Sequence, residues 1–282
     1  MGFPTHPVPS GRFAVLMMAC LLAGCQTGEV TNQIALKQKL AATATDQKSN
    51  IASLSEVIKT NPSDANALNL RGAAYGQSGE WDRALADFNA AISINPQYYQ
   101  AYANRALVYT RMNRLPQALS DYNQALNVDP KYGVAYIGRG NIYRAQNNHE
   151  AAVEDFSRAL ELQSEPVAFF NRGLSRQALG LHAQALDDFE NAIGFRPDAP
   201  EIYQAKGLSE LALQKYEKAF DDFYKAAQGR ENNFEAWALR GRAAEGMGAP
   251  KEASKAYKRA LQINPSYRPA REGLDRVGYN DA

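Results

Sequence analysis

A repeat of about 34 residues constrains this chain more than any other feature. Copies start at Ala65, Tyr99, Gly133, Pro166, Pro200 and Phe234, so successive starts lie 34, 34, 33, 34 and 34 residues apart. Numbering places from each start, place 4 is bulky: Leu68, Tyr102, Tyr136, Phe169, Tyr203 and Trp237. Place 8 is small: Gly72, Ala106, Gly140, Gly173, Gly207 and Gly241. Place 20 is Ala in every copy (Ala84, Ala118, Ala152, Ala185, Ala219, Ala253), as is place 27 (Ala91, Ala125, Ala159, Ala192, Ala226, Ala260). Place 24 is aromatic throughout: Phe88, Tyr122, Phe156, Phe189, Phe223 and Tyr257. Within a copy these places fall at helical spacing on two segments, separated by a break such as Ser78-Gly79-Glu80 and closed by Pro96, Pro130, Pro197 or Pro265 in four of the copies. Small residues on one helix let aromatic side chains of the other approach closely. One such hairpin cannot bury its apolar face alone, so the copies must stack.

This pattern resembles the tetratricopeptide repeat (TPR) family over residues 65–265. The resemblance implies an all-α fold, a right-handed α-α superhelix of helix-turn-helix repeats, with copies at 65–98, 99–132, 133–165, 166–199, 200–233 and 234–265. Residues 47–64 read as an N-terminal helix from about Gln47 to Thr60, or as part of a degenerate repeat starting near Thr31. Ala270, Leu274 and Val277 share one face of a capping helix within 266–282, which gives the array's end a polar outer surface.

Residues 1–24 stand apart. Arg12 precedes the apolar run from Phe13 to Gly24, which is too short for a membrane span and has the proportions of a secretory signal. Leu22-Ala23-Gly24-Cys25 resembles the lipobox of bacterial lipoproteins. That resemblance implies cleavage before Cys25, attachment of diacylglycerol to its thiol and fatty acylation of the new N-terminus. Several acyl chains anchor stably where one binds marginally. Cys20 lies in the segment removed, so the mature chain keeps a single cysteine and no disulfide. Gln26, rather than Asp, resembles the sorting signal of outer-membrane cargo, with a periplasm-facing protein as the expectation and the inner membrane as the alternative. Residues 25–46 read as a polar tether. The full chain carries a formal charge of +1, and removing Arg12 with the signal leaves 30 basic and 30 acidic side chains. That balance argues against a general nucleic-acid binder.

No catalytic constellation survives inspection, and no metal, cofactor or small-molecule substrate is expected. His149 and His182 occupy the same place in successive copies, read as a solvent-facing turn. His149-Glu150 opens like a zinc-protease motif, but Val153 stands where the second His is needed. Gly173-Leu174-Ser175 and Gly207-Leu208-Ser209 lack the closing Gly of a nucleophile elbow. The pairs Asp187-Asp188 and Asp221-Asp222 read as solvated helix faces. One polar pattern stands out: place 7 is Arg71, Arg105, Arg139, Arg172, Lys206 and Arg240, and place 23 is Asp87, Asp121, Asp155, Asp188, Asp222, then Ala256. A ladder of ion pairs follows. Pairing within a copy strands Arg240; pairing with the following copy strands Arg71.

In the TPR family the first helices line a concave groove through places 2, 5, 9, 12 and 13, which share one helical face. Copy one offers Asn66, Asn69, Ala73 and Gln77; copy two offers Gln100, Leu107, Thr110 and Arg111. Copy three contributes Val134, Ile137, Asn141 and Arg144, and copy four Val167, Phe170, Leu174 and Gln177. Copy five adds Glu201, Leu208 and Leu211, and copy six turns charged with Glu235, Arg242 and Glu245. The expected peptide-binding groove is therefore Arg111, Val134, Ile137, Asn141, Arg144, Val167, Phe170, Leu174, Leu208 and Leu211, with Phe170 and Ile137 its most convincing anchors. Two or three buried anchors at about 1.5–3 kcal/mol each correspond, after ordering costs, to micromolar affinity. Asn69 and Ala73 stand where the family's chaperone-tail clamp has Lys and Asn. The expectation is a non-catalytic adaptor binding peptides or helices of envelope proteins, anchored to lipid through Cys25, with monomer and homodimer both open. The alternatives are a pilotin-like assembly factor for a secretin or Flp/Tad-type pilus and, more weakly, the TPR portion of an O-GlcNAc-transferase-like enzyme.

Overall fold

The computed structural model describes residues 46, 48–162, 166–230 and 232–278. Cys25, the signal and nearly all of the tether lie outside the described residues. The chain divides into two compact units, Met1–Ile94 and Asn95–Ala282.

In the first unit, α1 (48–60) precedes the hairpin of α2 (Ala65–Gln77) and α3 (Trp81–Ile94). Asp64 starts α2 as an N-cap, its side chain accepting from the Ala67 N–H at 2.9 Å. The second unit continues with α4 (Tyr99–Arg111), α5 (Leu115–Val128), α6 (Gly133–Ala145) and α7 (His149–Leu162). Then follow α8 (Pro166–Ala178), α9 (His182–Phe195), α10 (Pro200–Ala212), α11 (Tyr216–Gln228), α12 (Phe234–Gly246), α13 (Pro250–Ile263) and α14 (Arg268–Val277). Each first helix begins at the start read from the sequence. No strand occurs among the described residues.

The turn between paired helices has a fixed geometry. Place 15 adopts a left-handed backbone in every copy: Gly79 (φ 78°), Asn113 (57°), Asn147 (60°), Gly180 (74°), Gln214 (57°) and Gly248 (67°). Gly and Asn tolerate that region; Gln does not favour it. The turn between copies uses Asn or Asp before Pro: Asn95, Asp129 and Asn264 each accept from the backbone N–H two residues on.

The core is small against large. The alanines at places 20 and 27 are buried in every copy, beneath buried place-24 rings. A methyl group on Gly173 would sit 2.6 Å from Phe189 Cε1, and one on Gly207 2.8 Å from Phe223 Cε1, so these glycines set the interhelix distance. Two copies have Tyr at place 24, and there the following helix also carries a Gly at place 6. Gly138 abuts Tyr122 and Gly273 abuts Tyr257, each leaving no room for a Cβ beside the phenol. The pairing of place-24 Tyr with place-6 Gly is in the sequence but escapes a search of single columns.

The ladder pairs within each copy. Arg71 meets Asp87, Arg105 meets Asp121, and Arg139 meets Asp155 through Nε and Nη2, all at 2.7–2.9 Å. Arg172–Asp188 at 2.7 Å and Lys206–Asp222 at 2.8 Å complete the series. The remaining guanidinium edge reaches back one copy: Arg71 donates to Ser55, Arg139 to Asn123 and Arg172 to Ser157. These three arginines therefore rivet their own second helix to the helix before the pair. Arg240, opposite Ala256, has no carboxylate partner among the described residues. Instead its guanidinium lies 4.0 Å from the Phe220 ring centroid and 4.4 Å from that of Tyr224, a cation–π contact in place of an ion pair.

Candidate functional site

Within the second unit, successive first helices touch: α4 with α6, α6 with α8, and α8 with α10. Successive second helices share at most a marginal contact, so the stack bends with the first helices inside. That inner face is the place to look for recognition.

Its floor is stitched by polar side chains. Asn171 Nδ2 donates to Asn141 Oδ1 at 2.9 Å, linking α8 to α6. Gln177 Nε2 donates to the Ala205 carbonyl at 2.8 Å and to Ser209 Oγ at 2.7 Å, linking α8 to α10. Asn141, expected as a ligand contact, thus has its carbonyl engaged by the fold.

Above this floor stand apolar side chains with much of their surface in water: Leu107 (50% exposed), Val134 (47%), Val167 (45%) and Leu208 (38%). They occupy places 2 and 9, two turns apart on one helix face. Ile137 is half-buried beside them. Three expected anchors are held by the core instead. Phe170 and Leu174 pack against the cluster around Ala185 and Phe189, the two phenyl centroids 6.1 Å apart. Leu211 packs against Ala219 and Phe223. Places 5 and 12 lie toward the packing face, while place 9 divides: Leu107 and Leu208 stay in water and Leu174 packs inward. Leu107, on the groove face but outside the expected site, joins the exposed stripe.

Charge is unevenly distributed. Arg111 is exposed and Arg144 half-buried, and neither meets a carboxylate among the described residues; the Arg144 Nε is enclosed without an acceptor. Two acids at the other end, Glu201 and Glu245, are matched. Arg196 binds Glu201 at 2.6 Å and Arg230 approaches it at 3.4 Å. Burial works to raise the Glu201 carboxyl, but its own backbone N–H and Arg196 hold it below its ordinary value. Arg276 binds Glu245 at 2.9 Å and Tyr257 donates to the same carboxylate; these bonds overcome burial and lower the Glu245 carboxyl.

One further group is out of the ordinary. Place 11 is Tyr in the first three copies but Glu210 in the fifth. Its side chain is 1% exposed, 3.2 Å from Lys206 Nζ, with Oε2 lacking any hydrogen-bond partner among the described residues. Lys206 is already shared with Asp222. Burial, and then the Asp222 charge, push the Glu210 carboxyl up to about 7.

The histidines differ from expectation. His149 and His182 are the first residues of α7 and α9, half-buried, each with Nδ1 enclosed. The same place holds Trp81, Leu115 and Tyr216, which marks it as a packing position. Among the described residues no group of three or more His, Cys, Asp or Glu is placed to hold a metal ion. None of their helices is long and apolar enough to cross a membrane.

Family profiles of the tetratricopeptide repeat match residues 65–98, 99–132, 133–165, 170–233 and 234–267. No curated protein matches the chain significantly. Among solved structures, YrrB, described as a TPR protein with an unusual peptide-binding site, shares 23% identity and a TM-score of 0.64, over 67% of this chain and 97% of its own. PilF of Pseudomonas aeruginosa shares 21% identity at a TM-score of 0.64, over 75% of this chain and 97% of its own. PilW, described as a widely conserved type IV pilus biogenesis factor, shares 19% identity at a TM-score of 0.61, over 76% and 98%. These likenesses concern the fold.

Proposed function

We propose that this chain, which belongs to the tetratricopeptide repeat family, is a non-catalytic protein-interaction scaffold that holds peptides or helices of envelope proteins on the inner face of its first helices. The observation that carries this reading is the stripe of Leu107, Val134, Val167 and Leu208, apolar side chains left in water on the concave side. Exposed apolar side chains gathered on one face of neighbouring helices favour an interaction site. YrrB, with a similar fold, is described as having a peptide-binding site, which agrees with the reading.

The anchor is proposed on sequence grounds. The lipobox-like Leu22-Ala23-Gly24-Cys25 supports acylation of Cys25, and Gln26 supports the periplasmic face of the outer membrane. A scaffold so tethered would gather its partners at the membrane surface. A second reading, a pilotin-like factor in pilus assembly, draws on the likeness in fold to PilW together with the same lipobox. Under it, Cys25→Ser should release the protein from the membrane and mislocalise a secretin; a normally placed secretin would exclude that role.

Pull-down from cells expressing wild type, Val134→Glu or Val167→Glu tests the scaffold reading. Both residues are exposed, so the variants should fold as wild type by circular dichroism yet lose their partners. Well-folded variants that recover the same partners would overturn it.

A further inference from the structure

We infer that the groove's occupant is an acidic amphipathic segment of another protein, its carboxylates held by Arg111 and Arg144 and its apolar side chains laid on Leu107, Val134 and Val167. This rests on the inner-face reading above and names the chemistry of the ligand. Across copies two to four, the groove-facing places contain two charged side chains, and both are arginines. Among the described residues, the other half-buried cations on the first helices are matched. Place-7 cations have carboxylates or, at Arg240, aromatic rings, while Glu201 and Glu245 are neutralised by Arg196 and Arg276. The charge left unbalanced on the apolar stretch is therefore positive.

Arg144 sharpens the point. Its Nε is enclosed without an acceptor, as are those of Arg176 and Arg240, but Arg176 has Asp188 and Arg240 has aromatic rings, whereas Arg144 has neither a carboxylate nor a ring partner among the described residues. Arg111 and Arg144 close the C-terminal ends of α4 and α6, which are in contact. Packed helices lie about 8–10 Å apart, a gap that two carboxylates three or four residues apart on a helix can bridge with their side chains. A carboxylate also offers guanidinium two parallel bonds, which fixes the ligand's register. The chain's own residues 26–48 are a poor occupant, since Lys37, Lys39 and Lys48 outnumber Glu29 and Asp46.

The test uses the full chain and two fluorescent amphipathic peptides of about 14 residues, four helical turns. Both carry the same Leu stripe, flanked by Glu in one and by Lys in the other. The Glu peptide should bind about 10-fold or more tightly than the Lys peptide, and added salt should weaken it. Arg111→Glu with Arg144→Gln should abolish or reverse the preference. Equal binding of both peptides, lost in Val134→Glu, would overturn the acidic class while leaving the groove reading intact. Binding indifferent to all these substitutions, or no binding of either peptide, would count against both. A chain that dimerises, with Arg111→Glu breaking the dimer, would make a second copy the occupant and end the inference.

Discussion

Replacing Arg139 by Leu leaves Asp155 with 4% of its side chain exposed and removes the guanidinium that binds both its oxygens. A buried carboxylate so orphaned costs about 3–5 kcal/mol. Replacing Asp155 by Leu leaves the Arg139 side chain, 21% exposed and still bonded to Asn123. That cation can lean toward water, so the loss should be smaller, about 2–3 kcal/mol. Burial, helped by the nearby Glu154 charge, raises the Asp155 carboxyl despite the bonds from Arg139, so the pair's desolvation is not outweighed. The double variant should accordingly recover most of the loss, leaving a coupling of about 2–3 kcal/mol. Urea unfolding followed by circular dichroism measures the total. Hydrogen exchange over α6 and α7 reads the local loss, since stability in an array is a sum over neighbouring repeats. Additive single losses, with coupling below about 0.5 kcal/mol, would refute the rivet.

Three further outcomes follow from particular residues. Gln214→Gly relieves a left-handed backbone (φ 57°) and should stabilise the chain by about 1 kcal/mol in the same unfolding assay. Gly138→Ala should destabilise by about 1–3 kcal/mol because its methyl group meets the Tyr122 ring; a variant as stable as wild type in the same assay would show that the ring can move aside. Glu210 holds its proton to about pH 7 when folded, against 4.5 ordinarily. The folded state thus binds the extra proton, so stability from this group is full at acid pH and falls as pH rises from about 4.5 to 7, by up to about 3 kcal/mol. Glu210→Gln should flatten that slope in thermal melts taken across the range; an unchanged slope would show that Glu210 is ionised throughout.

The fold was legible because packing writes on every copy. Places 8, 20, 24 and 27 must alternate small and large for two helices to touch, and a period near 34 repeats the message. Two features were harder to read. Arg139 could reach Asp155 of its own copy or Asp121 of the one before, and the spacing fits both; only the structure separates them. The backward contacts use Ser55, Asn123 and Ser157, small polar residues with no conspicuous type. The groove was legible in part. Helical periodicity put Val134 and Val167 on the inner face, where the structure leaves them in water. It could not tell that Phe170, at the edge of that face, turns toward Phe189, because a small rotation about the helix axis decides the matter.

The account stands or falls on whether partners sit on the inner face. A photocrosslinking amino acid placed at Val134, at Val167 and, as an outward control, at the exposed Lys218 on α11 would be activated in living cells. The account predicts one set of protein adducts at 134 and 167 that is absent at 218. Adducts at 218 with none at the two valines would contradict it.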